Sequence, residues 1–108
     1  MSALLKASQR QENRIAGRLR GRRTPGSGNG FRKNDVRTDD LSLEMKYTGK
    51  KQYTIKSADL EQGEKHAIMD GRDFAFGIEM NGRNWIVISE DDFVLLRTVM
   101  EESSHGTN

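Results

Sequence analysis

A chain of 108 residues with 33% hydrophobic positions has room for one modest core and excludes a second domain of ordinary size. It holds no cysteine and only two histidines, His66 and His105, which excludes disulfides, thiolate zinc sites and a histidine metal cluster. No apolar run reaches the roughly 18 residues of a membrane span and no secretory hydrophobic region opens the chain, so a soluble, cytoplasmic protein is expected.

The formal charge of +2 conceals an asymmetry: residues 1–37 hold ten Lys and Arg against Glu12 and Asp35, and the remainder holds eight against fourteen acids. The two parts carry +8 and −6. A basic first third on an acidic body suits a phosphate backbone, whose counterions it would release; a disordered basic tail is the alternative reading.

Residues 2–20 predict a helix, with good helix formers and no glycine before Gly17. Ile15, Ala16 and Leu19 form its apolar stripe, extended by Leu5, and Glu12 falls within that stripe. A carboxylate on an inward face needs a partner, either a buried arginine or a metal ion. Arg10, Arg14, Arg18, Arg20, Arg22 and Arg23 cover the other faces and the helix end, where guanidinium groups suit phosphates. Residues 24–34 follow as a Gly/Ser loop, Thr24-Pro-Gly-Ser-Gly-Asn-Gly30, whose amides and Ser27 could approach a phosphate or serve as a plain linker. Phe31, Arg32 and Lys33 lead out of it.

The most densely patterned stretch of the chain is Asp35-Val-Arg-Thr-Asp-Asp-Leu-Ser-Leu-Glu-Met-Lys46. With Asp39-Asp40 as a hairpin turn, Thr38 pairs with Leu41 and Asp35 lies across from Glu44, their Cβ atoms about 5 Å apart. Leu41, Leu43, Met45 and Tyr47 alternate with Ser42, Glu44, Lys46 and Thr48, which sends the first set inward and gathers Asp35, Glu44 and Lys46 on the polar side. Like charges facing one another cost stability unless neutralised, and a hard divalent cation such as Mg²⁺ is the usual reason to accept that cost. A solvated hairpin in which Glu44 and Lys46 balance one another is the competing explanation.

Gly49-Lys-Lys-Gln-Tyr53 reads as an exposed basic turn, and Tyr53 and Lys56 are placed to steer a nucleic acid. Ser57 is the expected cap of a second helix to about Met69, with Leu60, Glu64, Ala67 and Ile68 at helical spacing, Gly63 as a weak point and Gly71 as the stop. Phe74, Phe76, Ile78 and Met80 alternate, Asn81-Gly82 supplies a type I′ turn, and Trp85-Ile-Val-Ile88 returns as a strand expected to be buried on both faces, its aromatics in the core. Ser89 and Asp92 predict a capped last helix to about Met100 that packs through Phe93, Leu96 and Met100, with 101–108 as a flexible tail. The expected order is αββαββα, a compact α/β sandwich with a central mixed sheet flanked by helices, and 35–100 as the core of one domain spanning 1–108.

Glu12 on the first helix, Pro25-Gly-Ser-Gly28, Asp35 and Glu44-Met-Lys46 together resemble the PD-(D/E)XK nuclease superfamily, nearest to its small archaeal-type and phage-type Holliday junction resolvases. The resemblance covers roughly residues 9–100, with Asn34 where the family's name has proline. It implies a restriction-endonuclease-like fold and a Mg²⁺-dependent endodeoxyribonuclease, Mn²⁺ substituting, that cuts four-way DNA junctions as a homodimer without a small-molecule cofactor. Glu12, Asp35 and Glu44 would be the metal carboxylates, the main-chain carbonyl of Met45 a further ligand, and Lys46 the catalytic lysine. Ser27 would help hold the scissile phosphate region, and Arg14, Arg18, Arg22, Arg23, Arg32 and Lys33 would bind the DNA backbone. The expected setting is the cytoplasm, that of the host cell if a phage encodes the protein. The alternatives are a nuclease for other branched, nicked or duplex DNA, a non-catalytic nucleic-acid-binding module, and a small structural or regulatory protein.

Overall fold

The computed structural model describes residues 3–24 and 34–105, the side chains of Leu4, Leu5 and His105 excepted. Helix α1 spans Ala3–Leu19, strands β1 Arg22–Arg23, β2 Val36–Arg37 and β3 Leu41–Thr48, helix α2 Ser57–Met69, strands β4 Asp73–Met80 and β5 Arg83–Val87, and helix α3 Glu90–His105. The five strands form one mixed sheet in the order β1-β2-β3-β4-β5. Pairing is antiparallel except between β3 and β4, the two that α2 connects. The α/β sandwich expected from the sequence is therefore present, with the two-residue β1 added to the expected order. Among the described residues no helix is long and apolar enough to cross a membrane.

Helix α1 ends in a hydrogen-bonded cap: Arg20 takes a left-handed conformation at φ 55°, its N–H donates to the Gly17 carbonyl, and the Gly21 N–H donates to the Ala16 carbonyl. Gly21 then lets β1 approach β2, because a Cβ there would stand 2.5 Å from the Arg37 carbonyl oxygen.

The two faces of the sheet follow the strand alternation. Leu43, Met45 and Ala75 meet Ile15 and Ala16 of α1 and Val36 in the main core, with Leu41 and Ile88 at its margin. The inward line of α1 is Ala7, Gln11 and Ile15, one turn apart and all buried. Glu12 sits beside that line, and Leu19 is partly exposed, so the expected stripe is rotated by about one residue. On the opposite face Ser42, Glu44 and Phe76 lie toward α2, and this face is no solvated surface: Ser42 and Phe76 are buried.

Helix α2 carries Lys56 at its N-cap with no side-chain cap, and the Ser57 hydroxyl instead meets Glu61 at 3.3 Å. The expected stop at Gly71 is present, with φ 70°. Ile68 is exposed and Ala67 fully buried, so the packed line runs through Gly63 and Ala67, four residues apart. Gly63 is a contact point, since a Cβ there would fall 2.4 Å from the Phe74 ring. Gly17, by contrast, has nothing within 4 Å. The two glycines should respond to alanine with opposite signs in denaturant unfolding. Gly17→Ala gains about 1 kcal/mol of helix propensity. Gly63→Ala loses about 1–2 kcal/mol, because the aromatic clash outweighs the same gain.

The β4–β5 hairpin has the expected Asn81-Gly82 turn, both residues at positive φ. Two expectations at the C-terminal end are overturned. Strand β5 is an edge strand, not one buried on both faces; Trp85 and Ile86 are half exposed, and Trp85 lies under the Arg83 guanidinium at 4.7 Å. Helix α3 keeps its Ser89 cap, which accepts from the Asp92 N–H at 3.1 Å, but runs on to His105 and leaves Phe93, Leu96 and Met100 unpacked. A C-terminal helix needs a surface opposite its apolar stripe, and β5 at the sheet edge does not supply one in this chain.

Candidate active site

The hairpin forms in the expected register: Val36 pairs with Leu43 and Arg37 with Ser42, the Thr38 N–H donates to the Leu41 carbonyl, and the Asp35 N–H donates to the Leu43 carbonyl. Asp35 therefore comes beside Glu44. The Thr38 hydroxyl stabilises the turn by accepting from the Asp40 and Leu41 amides. Arg72 ties that turn to the end of α2, donating to the Thr38 carbonyl at 2.7 Å and to Asp70 Oδ2 at 2.6 Å. The turn end of the hairpin that carries the carboxyl pair is thus held in place.

Asp35 is fixed by the backbone of the opposite strand, its Oδ2 accepting from the Met45 N–H at 2.8 Å. Glu44 is largely buried and hydrogen-bonds to Asp35; burial first, then that bond and the Asp35 charge, push its carboxyl from 4.5 to about 9, with Lys46 opposing and Glu12 adding to the rise. It is consequently the proton donor of the pair. Lys46 Nζ lies 4.0 Å from Glu44 Oε1. Gln11, completely enclosed in α1, donates from Nε2 to the Lys46 carbonyl at 2.7 Å and sets the height of the strand that carries Lys46.

Glu12 stands at the margin of this group. Its partner is Arg23 of β1, at 3.1 Å. Burial and the Asp35 charge raise its pKa while Arg23 lowers it. So the structure brings Asp35, Glu44 and Lys46 together, with Glu12 within electrostatic range but engaged elsewhere. Among the described residues no group of three or more His, Asp and Glu side chains is arranged to hold a metal ion. The pair Asp35 and Glu44 is the part of the expected ligand set that fits one: two carboxyls in mutual contact suit a hard divalent cation, which would displace the Glu44 proton.

Across from the pair, α2 closes a hollow of about 140 Å³ lined by Glu44, Lys46, Asp59, Gln62, Gly63 and His66. At about 30 Å³ per water it has room for a few waters or one phosphate group. Asp59, Gln62 and His66 gave no signal in the sequence, since only the crossover from β3 to β4 lays α2 over Glu44. Asn34 did stand out, as the residue before Asp35. It is buried, donates from Nδ2 to the Ser42 hydroxyl at 2.8 Å and to the Gly63 carbonyl at 3.1 Å, and so fastens α2 to the hairpin. Of the cationic residues expected to meet DNA, Arg18 and Arg22 are exposed, Arg23 is paired with Glu12, and Arg14 is partly buried. Ser27, Arg32 and Lys33, with Pro25, lie outside the described residues.

The Glu44 shift has a sign that can be measured. Folded Glu44 holds its proton up to about 9 while the unfolded chain releases it near 4.5, so cation-free protein loses stability as pH rises through that interval. The melting temperature should fall by roughly 5 °C or more across the window, and Glu44→Gln should flatten the dependence. A profile equally steep in Glu44→Gln would assign the titration to another group.

No family model matches the chain, and comparison with curated proteins and with solved structures finds no significant similarity.

Proposed function

We propose that the chain is a divalent-cation-dependent DNA endonuclease selective for branched structures, four-way junctions first among them. The observation that carries this reading is the group formed by Asp35, Glu44 and Lys46, two carboxyls brought side by side across the hairpin with an ammonium 4.0 Å from a Glu44 oxygen. It coincides with the motif by which the sequence resembles the PD-(D/E)XK nucleases. A Mg²⁺ ion bound by Asp35 and Glu44, with the Met45 carbonyl as a further donor, would neutralise phosphate charge and acidify a water. Asp35 is anchored by Oδ2 on the Met45 amide, which would leave its other oxygen to meet the cation. Lys46 orients the attacking water or offsets the charge that grows on the phosphate. Glu12 acts at longer range, its carboxylate restrained by Arg23.

DNA would be positioned through its backbone. Arg20 and Arg22 line an open cleft of about 770 Å³ with Arg37, Thr38 and Asp39, at the turn end of the same hairpin. Replacing Arg20 and Arg22 with alanine should lower the slope of log affinity against log salt by about 1.8, the loss of two phosphate contacts; an unchanged slope would place the DNA elsewhere. Arg23 is unsuitable for this test because its loss would also release Glu12.

The deciding experiment incubates the protein with labelled four-way junction and matched linear duplex, with Mg²⁺ or chelator, beside Asp35→Asn. Metal-dependent paired nicks in the junction alone are the expected result. Cutting of both substrates would keep the nuclease and remove the junction preference. The engagement of Glu12 with Arg23 favours one second reading, a module that binds DNA without cutting it, and binding with no cleavage under any metal would establish that instead.

A further inference from the structure

We propose that α3 is a self-association element: the helix of one copy seats in the groove between α1 and β5 of a second copy, and the second returns its own helix to the first. This supplies the two-fold assembly that symmetric cutting of a junction calls for, but it stands on α3 and the groove alone and does not rest on the nuclease reading.

The sixteen residues of α3 have no substantial packing against any other described element. Phe93, Val94, Leu95, Leu96, Val99 and Met100 are all 50–60% exposed. At 100° per residue, all of these but Val94 fall in one stripe, from Leu95 through Val99, Leu96 and Met100 to Phe93. A single helix of this length is marginal in water by itself, and most helical stability comes from packing such a face. The molecule is elongated, 53 × 32 × 27 Å, and no α3 residue lines the groove of its own chain.

The groove complements the helix in apolar surface and in charge. It encloses about 310 Å³ between Arg14, Ile15, Arg18 and Leu19 of α1 and Trp85 and Ile86 of β5, with Leu19, Trp85 and Ile86 leaving apolar surface open. Its polar rim is cationic, whereas the helix ends carry Glu90, Asp91, Asp92, Glu101 and Glu102 against Arg97 alone. Arg18 is exposed and Arg14 only partly buried, so their guanidinium groups can meet a carboxylate from an incoming α3 with a charge-assisted bond. Reciprocal docking is isologous and closes as a dimer without leaving a free groove. Two helices, each about 24 Å long and 10 Å across, in two grooves offer area on the order of the 1,600 Å² of a standard specific interface.

The test uses the full chain. Sedimentation equilibrium from low to high micromolar concentration should give twice the monomer mass, and Leu96→Asp with Met100→Asp should give monomers with an unchanged circular dichroism spectrum. Arg14→Glu should weaken the dimer at least tenfold. A photo-crosslinking residue at position 96, in a mixture of light and isotopically heavy copies, should join one copy to the other at Leu19 or Trp85. A wild-type monomer throughout, crosslinks confined to one copy as α3 folds back about Ile88 and Ser89, or crosslinks from α3 to α3 would each overturn the proposal. An undiminished dimer in Arg14→Glu would overturn the groove as the seat. Cleavage is not read in any arm, so the outcome is separate from that of the nuclease test.

Discussion

Asp35→Asn is expected to remove cleavage by a thousandfold or more, about 4 kcal/mol of barrier, while leaving DNA affinity the same or higher. The substitution is close to isosteric, and its amide oxygen can still accept from the Met45 N–H, so the hairpin should keep its shape. What it deletes is the negative charge. Two effects follow at the neighbouring residue. Glu44 loses the carboxylate that raises its pKa, so its ordinary acidity should partly return. Cation binding nonetheless weakens, because one anionic ligand of the fitting pair is gone. Affinity for a junction is measured in chelator and cleavage in single turnover with saturating Mg²⁺ or Mn²⁺. If binding disappeared with cleavage, Asp35 would be a structural residue and the cation assignment would fail.

Lys46→Ala is the second large effect, an expected loss of roughly a hundred- to a thousandfold in the single-turnover rate. Among the described residues Lys46 is the charge that favours ionised Glu44, so its removal should also hold the Glu44 proton more tightly and move any rate dependence on that proton to higher pH. A purely structural ion pair predicts the proton shift but not the loss of rate: at 4.0 Å and partly exposed, the Lys46–Glu44 contact itself contributes little stability. Wild-type turnover in Lys46→Ala would take the lysine out of the mechanism.

The hairpin and its charged face were legible because a strand has a period of two: once the Asp39-Asp40 turn is placed, the position of Glu44 opposite Asp35 is arithmetic. The Asn81-Gly82 turn and the Ser89 cap were legible for the same local reason, a residue type demanded by one backbone conformation. Gln11 was not. A glutamine beside Ile15 on a helix reads as surface, and only the long-range bond to the Lys46 carbonyl explains its burial. His66, Asp59 and Gln62 were equally hidden, since their approach to Glu44 depends on the β3-to-β4 connection bringing α2 across the sheet. The burial of β5 and α3 was misjudged because periodicity reports an apolar face, not whether the same chain covers it. The carboxylate of Glu12 called for a partner, and of the two that the sequence allowed the structure supplies the arginine, Arg23.

The parallel pairing of β3 with β4 bears on how the chain reaches this structure. Strands β2 and β3, and likewise β4 and β5, are hairpins that close locally on a microsecond scale. Joining β3 to β4 requires the whole connection from Gly49 to Arg72 to close, an entropic cost met before any parallel contact repays it. The slow event in folding is then expected to be the step that brings β3 beside β4, with Leu43 coming beside Ala75 and Ser42 beside Phe74. Before that step Glu44 lacks the cover of α2 and is expected to ionise as an ordinary glutamate. Proton uptake by Glu44 is therefore a clock for the final assembly: in unbuffered refolding near neutral pH, a pH indicator should register it together with the last phase and not with the first.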